Sequence, residues 1–389
     1  MSGRNSLFVP GPTNVPDRIL RAMHRAQEDH RSSSFPALTL GIFADLPKIF
    51  GSTKGQAFIF PASGTAMWET AIVNALSPGD RVLAVRHGMF SHLFIDTAQR
   101  MGMQVEVIEV EWGDAVPAGT IEERLKQDTA GEIKAVLVVH NETATGVTSD
   151  MAAVRAAMNA AGHEAMLMVD GVSSVASLDF QLDKWGVDFA ISGSQKGFMM
   201  PAGLGLLCVG PKGLAAIPKA KSPRAFFDLR DHIKLNGDGY FPYTPALSHL
   251  YGLREALDML LEEGMPAVIA RHRRLAEGVR LAVRAWGLHA CAKDPACQSD
   301  TVTAVVVPDG ADAERVRDIA FRRYDLALGA GLGKLRGKVF RIGHLGDLNP
   351  LMLLGALAGT EMTMADAGIP IVAGSGVAAA QQWYRSTQA

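Results

Sequence analysis

Lys196 is a residue whose type and position could support covalent chemistry. It lies in SGSQKG at 192–197, directly after the apolar segment Phe189–Ser192, which predicts a β-strand. In an open sheet of parallel strands, ligands bind at the edge formed by the carboxyl ends of the strands. The small residues around the lysine would let a flat ligand approach its amine. An exposed loop lysine is the alternative, and Lys196 alone does not exclude it.

Asp170 strengthens the case for a site at this edge. It follows the predicted strand Ala165–Val169 and precedes Lys196 by 26 residues (196 − 170 = 26), enough for one crossover between neighbouring parallel strands. A carboxylate in this place can keep a pyridine nitrogen protonated, which makes pyridoxal phosphate an electron sink. Capping of the following helix is the alternative role for Asp170.

A third segment has the character of an anion site. Ser63, Gly64 and Thr65 lie between a predicted strand, Gln56–Phe60, and a predicted helix, Ala66–Leu76. Free backbone N–H groups, two hydroxyls and the helix dipole would all favour a phosphate there. A simple Ser/Thr helix cap would have the same sequence pattern.

Two further residues suit a ligand with a flat ring and a carboxylate. Phe90 ends the turn HGMF at 87–90 and could stack on a ring, although a core phenylalanine would look the same. Arg341 lies within the apolar segment FRIGHL at 340–345. A buried guanidinium needs a partner, and either a substrate carboxylate or a structural salt bridge would serve.

The elements that must position these residues form a strand–helix alternation. Helices are predicted between the strands, for example at Ala66–Leu76, Phe90–Arg100 and Met151–Ala161. Such alternation predicts a mainly parallel sheet covered on both faces. The predicted strands are Gln56–Phe60, Arg81–Val85, Val105–Val110, Ala135–Val139, Ala165–Val169, Phe189–Ser192 and Leu204–Val209.

A second, smaller α/β unit is predicted after two long helices at residues 250–287. Gly264 and Pro266 separate these helices, so we place a domain boundary near Gly264. The chain of 389 residues is long enough for two domains. The elements predicted in the second unit are a strand at Thr301–Val307, a helix at Asp312–Arg323, a strand at Val339–Ile342 and a helix at Pro350–Ala367.

Composition excludes several classes of protein. Acidic and basic residues nearly balance, with a formal net charge of −2, which argues against a nucleic-acid-binding surface. No apolar segment reaches the roughly 20 residues of a membrane span, and the N-terminus lacks the pattern of a secretory signal. Cys208, Cys291 and Cys297 have neither metal-site nor disulfide-framework spacing. We therefore expect a cytoplasmic protein that acts on small molecules and binds no metal, nucleic acid or membrane.

Taken together, these segments resemble the class V aminotransferases of fold type I, and especially the serine–glyoxylate and alanine–glyoxylate group. The motifs that carry the resemblance are HNETATG at 140–146, DGVSS at 170–174, SGSQKG at 192–197 and FRIGHLG at 340–346. It extends over nearly the whole chain, from FVPGPTN at 8–14 to GSGVAAA at 374–380. The order of the motifs makes the signal much more specific than any one of them.

The resemblance implies a fold and a division of the chain. The expected large domain, residues 20–264, binds the cofactor and has a mainly parallel seven-stranded sheet covered by helices. A smaller C-terminal α/β domain spans residues 265–389. Residues 1–19 are expected to form an N-terminal extension at a dimer interface.

The resemblance also implies how pyridoxal 5′-phosphate is held and used. Lys196 would bind it as a Schiff base and move the proton between the substrate Cα and the cofactor. Asp170 would pair with the ring nitrogen, while Val172 and Phe90 would sandwich the ring. Thr143 would hydrogen-bond the phenolic oxygen.

The phosphate contacts implied by the resemblance come from two subunits. Thr244 would reach the phosphate of the neighbouring subunit, so a homodimer with shared active sites is expected. Relatives of the animal type have a tyrosine three residues before this threonine, where the chain has Phe241. Tyr240 or Tyr243 is expected to supply that hydroxyl. The contacts within one subunit would be Ser63, Gly64, Thr65 and Gln195.

The implied reaction is transfer of the amino group of L-serine to glyoxylate, giving hydroxypyruvate and glycine by ping-pong kinetics. Arg341 would bind the substrate α-carboxylate. Aspartate–glyoxylate and alanine–glyoxylate transamination are the alternatives. Arg31, in DHRS at 29–32, could bind a second carboxylate, or it could be a surface or dimer-contact residue.

Two other classes fit the sequence less well. A pyridoxal-phosphate lyase such as a cysteine desulfurase would need a reactive loop cysteine, and none of the three cysteines is in such a loop. A dinucleotide-binding protein would need a glycine-rich turn at the start of a βαβ unit, and GSGVAAA at 374–380 is too close to the chain end for one.

Overall fold

The computed structural model describes residues 6–387. The strands are β1 Ser6–Phe8, β2 Gln56–Ala62, β3 Arg81–Arg86, β4 Gln104–Glu109, β5 Ile133–Val139, β6 Asn141–Glu142, β7 Val147–Thr148, β8 Met166–Asp170, β9 Phe189–Gly193, β10 Gly203–Val209, β11 His289–Ala290, β12 Val302–Val306, β13 Leu326–Ala330 and β14 Val339–Gly343. The helices are α1 Asp17–Met23, α2 Pro36–Ile49, α3 Gly64–Ala75, α4 Met89–Arg100, α5 Ala118–Gln127, α6 Met151–Ala160, α7 Leu182–Trp185, α8 Pro211–Ala216, α9 Leu229–Asn236, α10 Leu247–Glu263, α11 Met265–Ala285, α12 Ala313–Tyr324, α13 Pro350–Asp366 and α14 Ser375–Ser386.

The larger sheet confirms the predicted α/β architecture. Its seven strands lie in the order β2-β10-β9-β8-β5-β3-β4. Strands β9, β8, β5, β3 and β4 run parallel to one another, whereas β10 is antiparallel to both of its neighbours. The seven strands are those that the apolar segments predicted. The reversed direction of β10 follows from its short connection to β9, because a parallel pair needs a longer crossover.

Helices cover both faces of this sheet and form two core clusters. On one face, α2 and α10 contribute apolar side chains such as Leu46 and Leu253. On the other face, α3 and α4 contribute Trp68 and Phe94. Because both faces are covered, the central strands are apolar almost throughout.

The smaller sheet combines the two ends of the chain. Its order is β1-β13-β14-β12-β11, and β1 pairs in parallel with β13, with Ser6 opposite Leu326. Phe8 is buried in the core cluster of the C-terminal elements. Within the expected extension at 1–19, Ser6–Phe8 therefore belong to the second sheet, while residues 1–5 lie outside the described residues. Neither β1 nor β13 was predicted from the sequence.

The expected boundary coincides with a break between two helices. Gly264, at a φ of +81°, separates α10 from α11, and the division at this residue stays a prediction. No helix within residues 6–387 has the length and apolar character needed to cross a membrane. Over the same residues, His, Cys, Asp and Glu side chains form no group of three or more suited to a metal ion.

Candidate active site

A pocket of about 300 Å³ opens at the carboxyl edge of the larger sheet, where β8 and β9 end beside the first turn of α3. A volume of this size and a mixed polar and apolar lining are typical of small-molecule sites. The pocket is lined by Gly11, Pro12, Gly64, Thr65, Trp68, Phe90, Asn141, Thr143, Asp170, Val172, Ser173, Gln195, Lys196 and Ala202.

Asp170 is the last residue of β8 and has only 3% of its surface exposed. The backbone N–H of Val172 donates to Oδ1 at 2.8 Å, and the indole N–H of Trp68 donates to Oδ2 at 3.0 Å. Burial raises the pKa of Asp170 to about 7, and the negative charge of Glu142 acts in the same direction, against the two donors and Lys196. The carboxylate is therefore poised to gain a cationic partner.

Lys196 follows the neighbouring strand β9 and is also buried. Its Nζ donates to the carbonyl oxygen of Pro10. Burial lowers the pKa of Lys196 to about 8, and the nearby charge of Arg341 lowers it further than Asp170 raises it. The lowered pKa makes the neutral, nucleophilic form of this lysine more accessible near physiological pH, as an imine-forming lysine requires.

The segment after β1, which includes Gly11 and Thr13, covers Lys196. The sequence did not predict this contact. Gly11 adopts a φ of +110°, and a Cβ atom there would lie 2.5 Å from the Nζ of Lys196. The Thr13 hydroxyl donates to the backbone carbonyl of Lys196 at 3.2 Å. Glycine is required at position 11 by both the backbone angle and the close approach.

The predicted anion site lies at one end of the pocket. Helix α3 begins at Gly64, with Ser63 as its N-cap in an extended conformation, and Gly64 and Thr65 line the cavity. Gln195 faces the same region, and its Oε1 has no hydrogen-bond partner within the protein. The side chain of Ser63 caps no backbone N–H of α3, which leaves its hydroxyl available to an anion.

The residues predicted to hold a ring also line the pocket. Phe90 lies in the first turn of α4, and Val172 follows Asp170. The Thr143 hydroxyl hydrogen-bonds the Ser173 hydroxyl at 2.9 Å, and Ser173 in turn donates to the carbonyl of Asn141 at 2.8 Å. The turn after β5 is therefore anchored to the turn after β8.

Glu142 is a fully buried carboxylate that sequence reasoning did not single out. It accepts the backbone N–H groups of Phe90 at 3.2 Å, Ser91 at 2.9 Å and Ala144 at 3.1 Å. The negative charge stabilises the N-terminus of α4. It also fixes Phe90 relative to Thr143.

Arg341 is buried on β14 and lies beside the pocket. Its Nε donates to the carbonyl of Ala330 at 2.7 Å and its Nη1 to that of Thr143 at 3.0 Å. Burial lowers the pKa of Arg341 to about 10, although Glu142 raises it. Arg341 forms no salt bridge with any carboxylate of residues 6–387, so the structural salt bridge considered from the sequence is not the role of this arginine.

The remaining predicted site residues lie outside the pocket of the single chain. Arg31, Tyr243 and Thr244 are exposed. Phe241 packs against Phe43 and not toward the cavity. The Tyr240 hydroxyl donates to the carbonyl of Ser32 at 3.2 Å, and the Tyr243 hydroxyl donates to that of Ala225 at 3.5 Å. Tyr243 is the more exposed of the two tyrosines.

Trp68 lines the pocket, and its hydrogen bond to Asp170 was not predicted from the sequence. It lies four residues after Gly64, so both side-chain positions share one face of α3. This spacing was the available signal, but a tryptophan in an apolar helix is also a common core residue. Only the structure shows its N–H directed at Asp170.

Comparisons with known proteins identify relatives over the whole chain. A family model described as aminotransferase class-V matches residues 7–332. The serine–glyoxylate aminotransferase of Methylorubrum extorquens is 58% identical over 98% of this chain and 96% of its own length. The L-aspartate–glyoxylate aminotransferase of Paracoccus denitrificans is 51% identical over 100% and 98%. The crystal structure of ureidoglycine–glyoxylate aminotransferase from Bacillus subtilis superposes with a TM-score of 0.91 at 28% identity, covering 99% of both chains.

Proposed function

This chain belongs to the class V aminotransferases of fold type I, and we propose that it is the pyridoxal-phosphate-dependent enzyme that transfers the amino group of L-serine to glyoxylate. The observation that carries the proposal is the presence of Lys196 and Asp170, both buried, in the lining of one pocket. Burial moves the pKa values of both groups toward neutrality, to about 8 and about 7. Such perturbed pairs are typical of catalytic sites.

The residues present fit pyridoxal phosphate. The N-terminus of α3 at Gly64 suits a phosphate, because its backbone N–H groups are donors, and the Nε2 group of Gln195 could donate to the same anion. Asp170 suits a protonated ring nitrogen, since a cation would stabilise its buried charge. Phe90 and Val172 would contact the two faces of the ring.

When bound, pyridoxal phosphate supplies an aldehyde that condenses with amines and a protonated ring that withdraws electrons from the substrate Cα. Lys196 would provide the amine that holds the cofactor at rest. When it does not hold the cofactor, the same Nζ would accept the proton from the substrate Cα and return it during the transfer. Its lowered pKa suits both proton acceptance and donation near neutral pH.

Arg341 would orient both substrates, because serine and glyoxylate each have a carboxylate beside the reacting carbon. The two backbone carbonyls that anchor its guanidinium leave three of its five N–H donors free. A planar guanidinium can bind a carboxylate through two parallel hydrogen bonds.

We propose serine as the leading donor on the basis of the relatives, since the Methylorubrum enzyme is 58% identical. Aspartate is the second candidate, because the Paracoccus enzyme is 51% identical over the full chain. Arg31 is exposed in the single chain and would serve aspartate only if a partner subunit brought it to a pocket.

We also propose a cytoplasmic homodimer with shared active sites. Tyr243 and Thr244 are exposed, as residues that reach into a neighbouring subunit would be, and Tyr243 stacks on Phe226, which is also exposed. The domain division at Gly264 and the placement of the N-terminal segment at the interface belong to the same proposal. Cross-linking through a cysteine placed at Thr244 would test the shared site.

A half-reaction experiment tests the function. Purified protein is loaded with pyridoxal phosphate, and serine, aspartate and alanine are offered separately while the visible absorption of the lysine-bound cofactor is followed. We expect serine to remove the absorption with the highest second-order rate constant, and glyoxylate to restore it. Faster loss with aspartate would replace the proposed donor, and failure to bind the cofactor would refute the function.

A further inference from the structure

Asp170 has one fixed hydrogen-bond donor on each oxygen. The backbone N–H of Val172 holds Oδ1, and the Trp68 indole N–H holds Oδ2 at 3.0 Å. The terminal torsion of an aspartate is soft and has no sharp rotamer wells. Two donors that approach different oxygens therefore determine the plane in which this carboxylate lies.

The indole is itself held in place. Trp68 has 2% of its surface exposed and stacks on Phe94 of α4, with ring centroids 5.5 Å apart and an interplanar angle of 19°. A donor fixed in this way cannot follow the carboxylate if it rotates. The energy of the hydrogen bond thus depends on the orientation of Asp170.

The position of Trp68 on α3 couples two parts of the site. Gly64, at the start of α3, lines the anion end of the pocket, and Trp68 lies one turn later on the same face. One rigid helix therefore sets the separation between the phosphate contacts and the carboxylate that would face the ring.

The electrostatic setting makes a donor on Oδ2 important. Asp170 is buried, and Glu142 adds a second negative charge nearby. Both effects favour protonation of Asp170. The hydrogen bonds from Val172 and Trp68 oppose them, because both stabilise the ionised form.

We propose that Trp68 is a positioning residue, whose indole N–H holds the Asp170 carboxylate in the orientation that faces the ring nitrogen of the cofactor. The inference rests on the proposed function, because the ring nitrogen of pyridoxal phosphate is the partner that this orientation serves. Trp68 acts through Asp170 and does not take part in proton transfer.

The test compares Trp68→Phe with the wild-type protein using two cofactors. One is pyridoxal phosphate, and the other is its analogue in which the ring nitrogen is replaced by C–H. We measure the dissociation constant of each from the apoprotein by quenching of tryptophan fluorescence or by calorimetry. The wild type should bind pyridoxal phosphate more tightly than the analogue. Trp68→Phe should shrink that ratio by about tenfold or more, the usual effect of losing a hydrogen bond to a charged group.

Trp286→Phe is the matched control. The Trp286 indole N–H also donates to a buried carboxylate, Glu361, at 2.8 Å, but within the smaller domain. This variant loses the same kind of bond and should leave the ratio of the two dissociation constants unchanged. If Trp68→Phe does not fold, 3-benzothienylalanine at position 68 keeps the bicyclic shape and replaces the N–H by sulfur.

The outcomes separate the two proposals. An unchanged ratio in Trp68→Phe, with equal weakening of both cofactors, would mean that Trp68 is only a packing residue and would overturn the inference. A wild-type protein that binds pyridoxal phosphate but does not prefer it to the analogue would also overturn it. A wild-type protein that binds neither compound would instead refute the proposed function.

Discussion

Replacing Arg341 by lysine tests the proposed substrate site most directly. The change keeps the positive charge near Lys196 and alters only the number and geometry of the donors. The wild-type guanidinium uses Nε on Ala330 and one Nη1 proton on Thr143. Its remaining donors are free for a carboxylate.

The expected magnitude follows from this donor count. A lysine ammonium has three donors on one nitrogen and cannot hold both backbone carbonyls while it binds a carboxylate through two bonds. Loss of one hydrogen bond to a charged group costs about 1.5–3 kcal/mol. We therefore expect kcat/KM to fall about 10- to 150-fold for both serine and glyoxylate.

The assay is the half-reaction of the loaded protein with serine and with ethanolamine, which is serine without its carboxylate. Arg341→Lys should slow the reaction with serine by the stated factor and change that with ethanolamine less than about threefold, since ethanolamine lacks the group that Arg341 binds. Arg317→Lys is the control, because Arg317 also donates to a backbone carbonyl, that of Leu328 at 3.1 Å. Equal losses with both amines would refute the assignment of Arg341 to the carboxylate.

Other groups of the site give further predictions. Lys196→Arg should abolish the visible absorption of bound cofactor and slow the serine half-reaction at least ~100-fold, since a general acid–base group is removed. An unchanged rate would show that Lys196 is not that acid–base group. Covalent binding of pyridoxal phosphate to the apoprotein should accelerate as pH rises through about 8, because burial and then the Arg341 charge lower the pKa of Lys196; a midpoint near the usual 10.5 would contradict the burial argument. Glu142→Gln should lower the free energy of unfolding by about 1.5–3 kcal/mol, read from urea denaturation, whereas the exposed Glu123→Gln should not. Gly11→Ala should lower the free energy of unfolding by about 1–2 kcal/mol because of the positive φ at this position. It should also slow cofactor attachment, because the new Cβ displaces the Lys196 amine, and normal attachment kinetics would show that the segment around Gly11 moves to make room.

The seven strands of the larger sheet were predictable because each is a short apolar segment bounded by turn residues. The same holds for the placement of Asp170 and Lys196 at adjacent strand ends, which requires only the length of one crossover and the parallel direction of β8 and β9. By contrast, β1 was missed, because a strand of three residues has too few side chains for a pattern. Its partner β13 is 318 residues away (326 − 8 = 318).

The contacts of Asp170 and Lys196 could not be predicted from the sequence for a related reason. Trp68 and Asp170 are 102 residues apart, and Pro10 and Lys196 are 186 apart. No periodicity links such pairs, because their meeting depends on how helices and strands pack. Arg341 could be recognised as unusual in an apolar strand, but the absence of a salt-bridge partner is a property of the packed domain.

The sequence by itself determined which chemical groups are available and at which ends of which elements they lie, because strand and helix periods and turn residues act locally. Only the tertiary structure decided the environment of those groups. Burial and the nearby charge of Arg341 lower the pKa of Lys196, and two fixed hydrogen-bond donors orient Asp170. These effects depend on the distances between charged groups and on the exclusion of water, and neither is set until the chain has folded around the pocket.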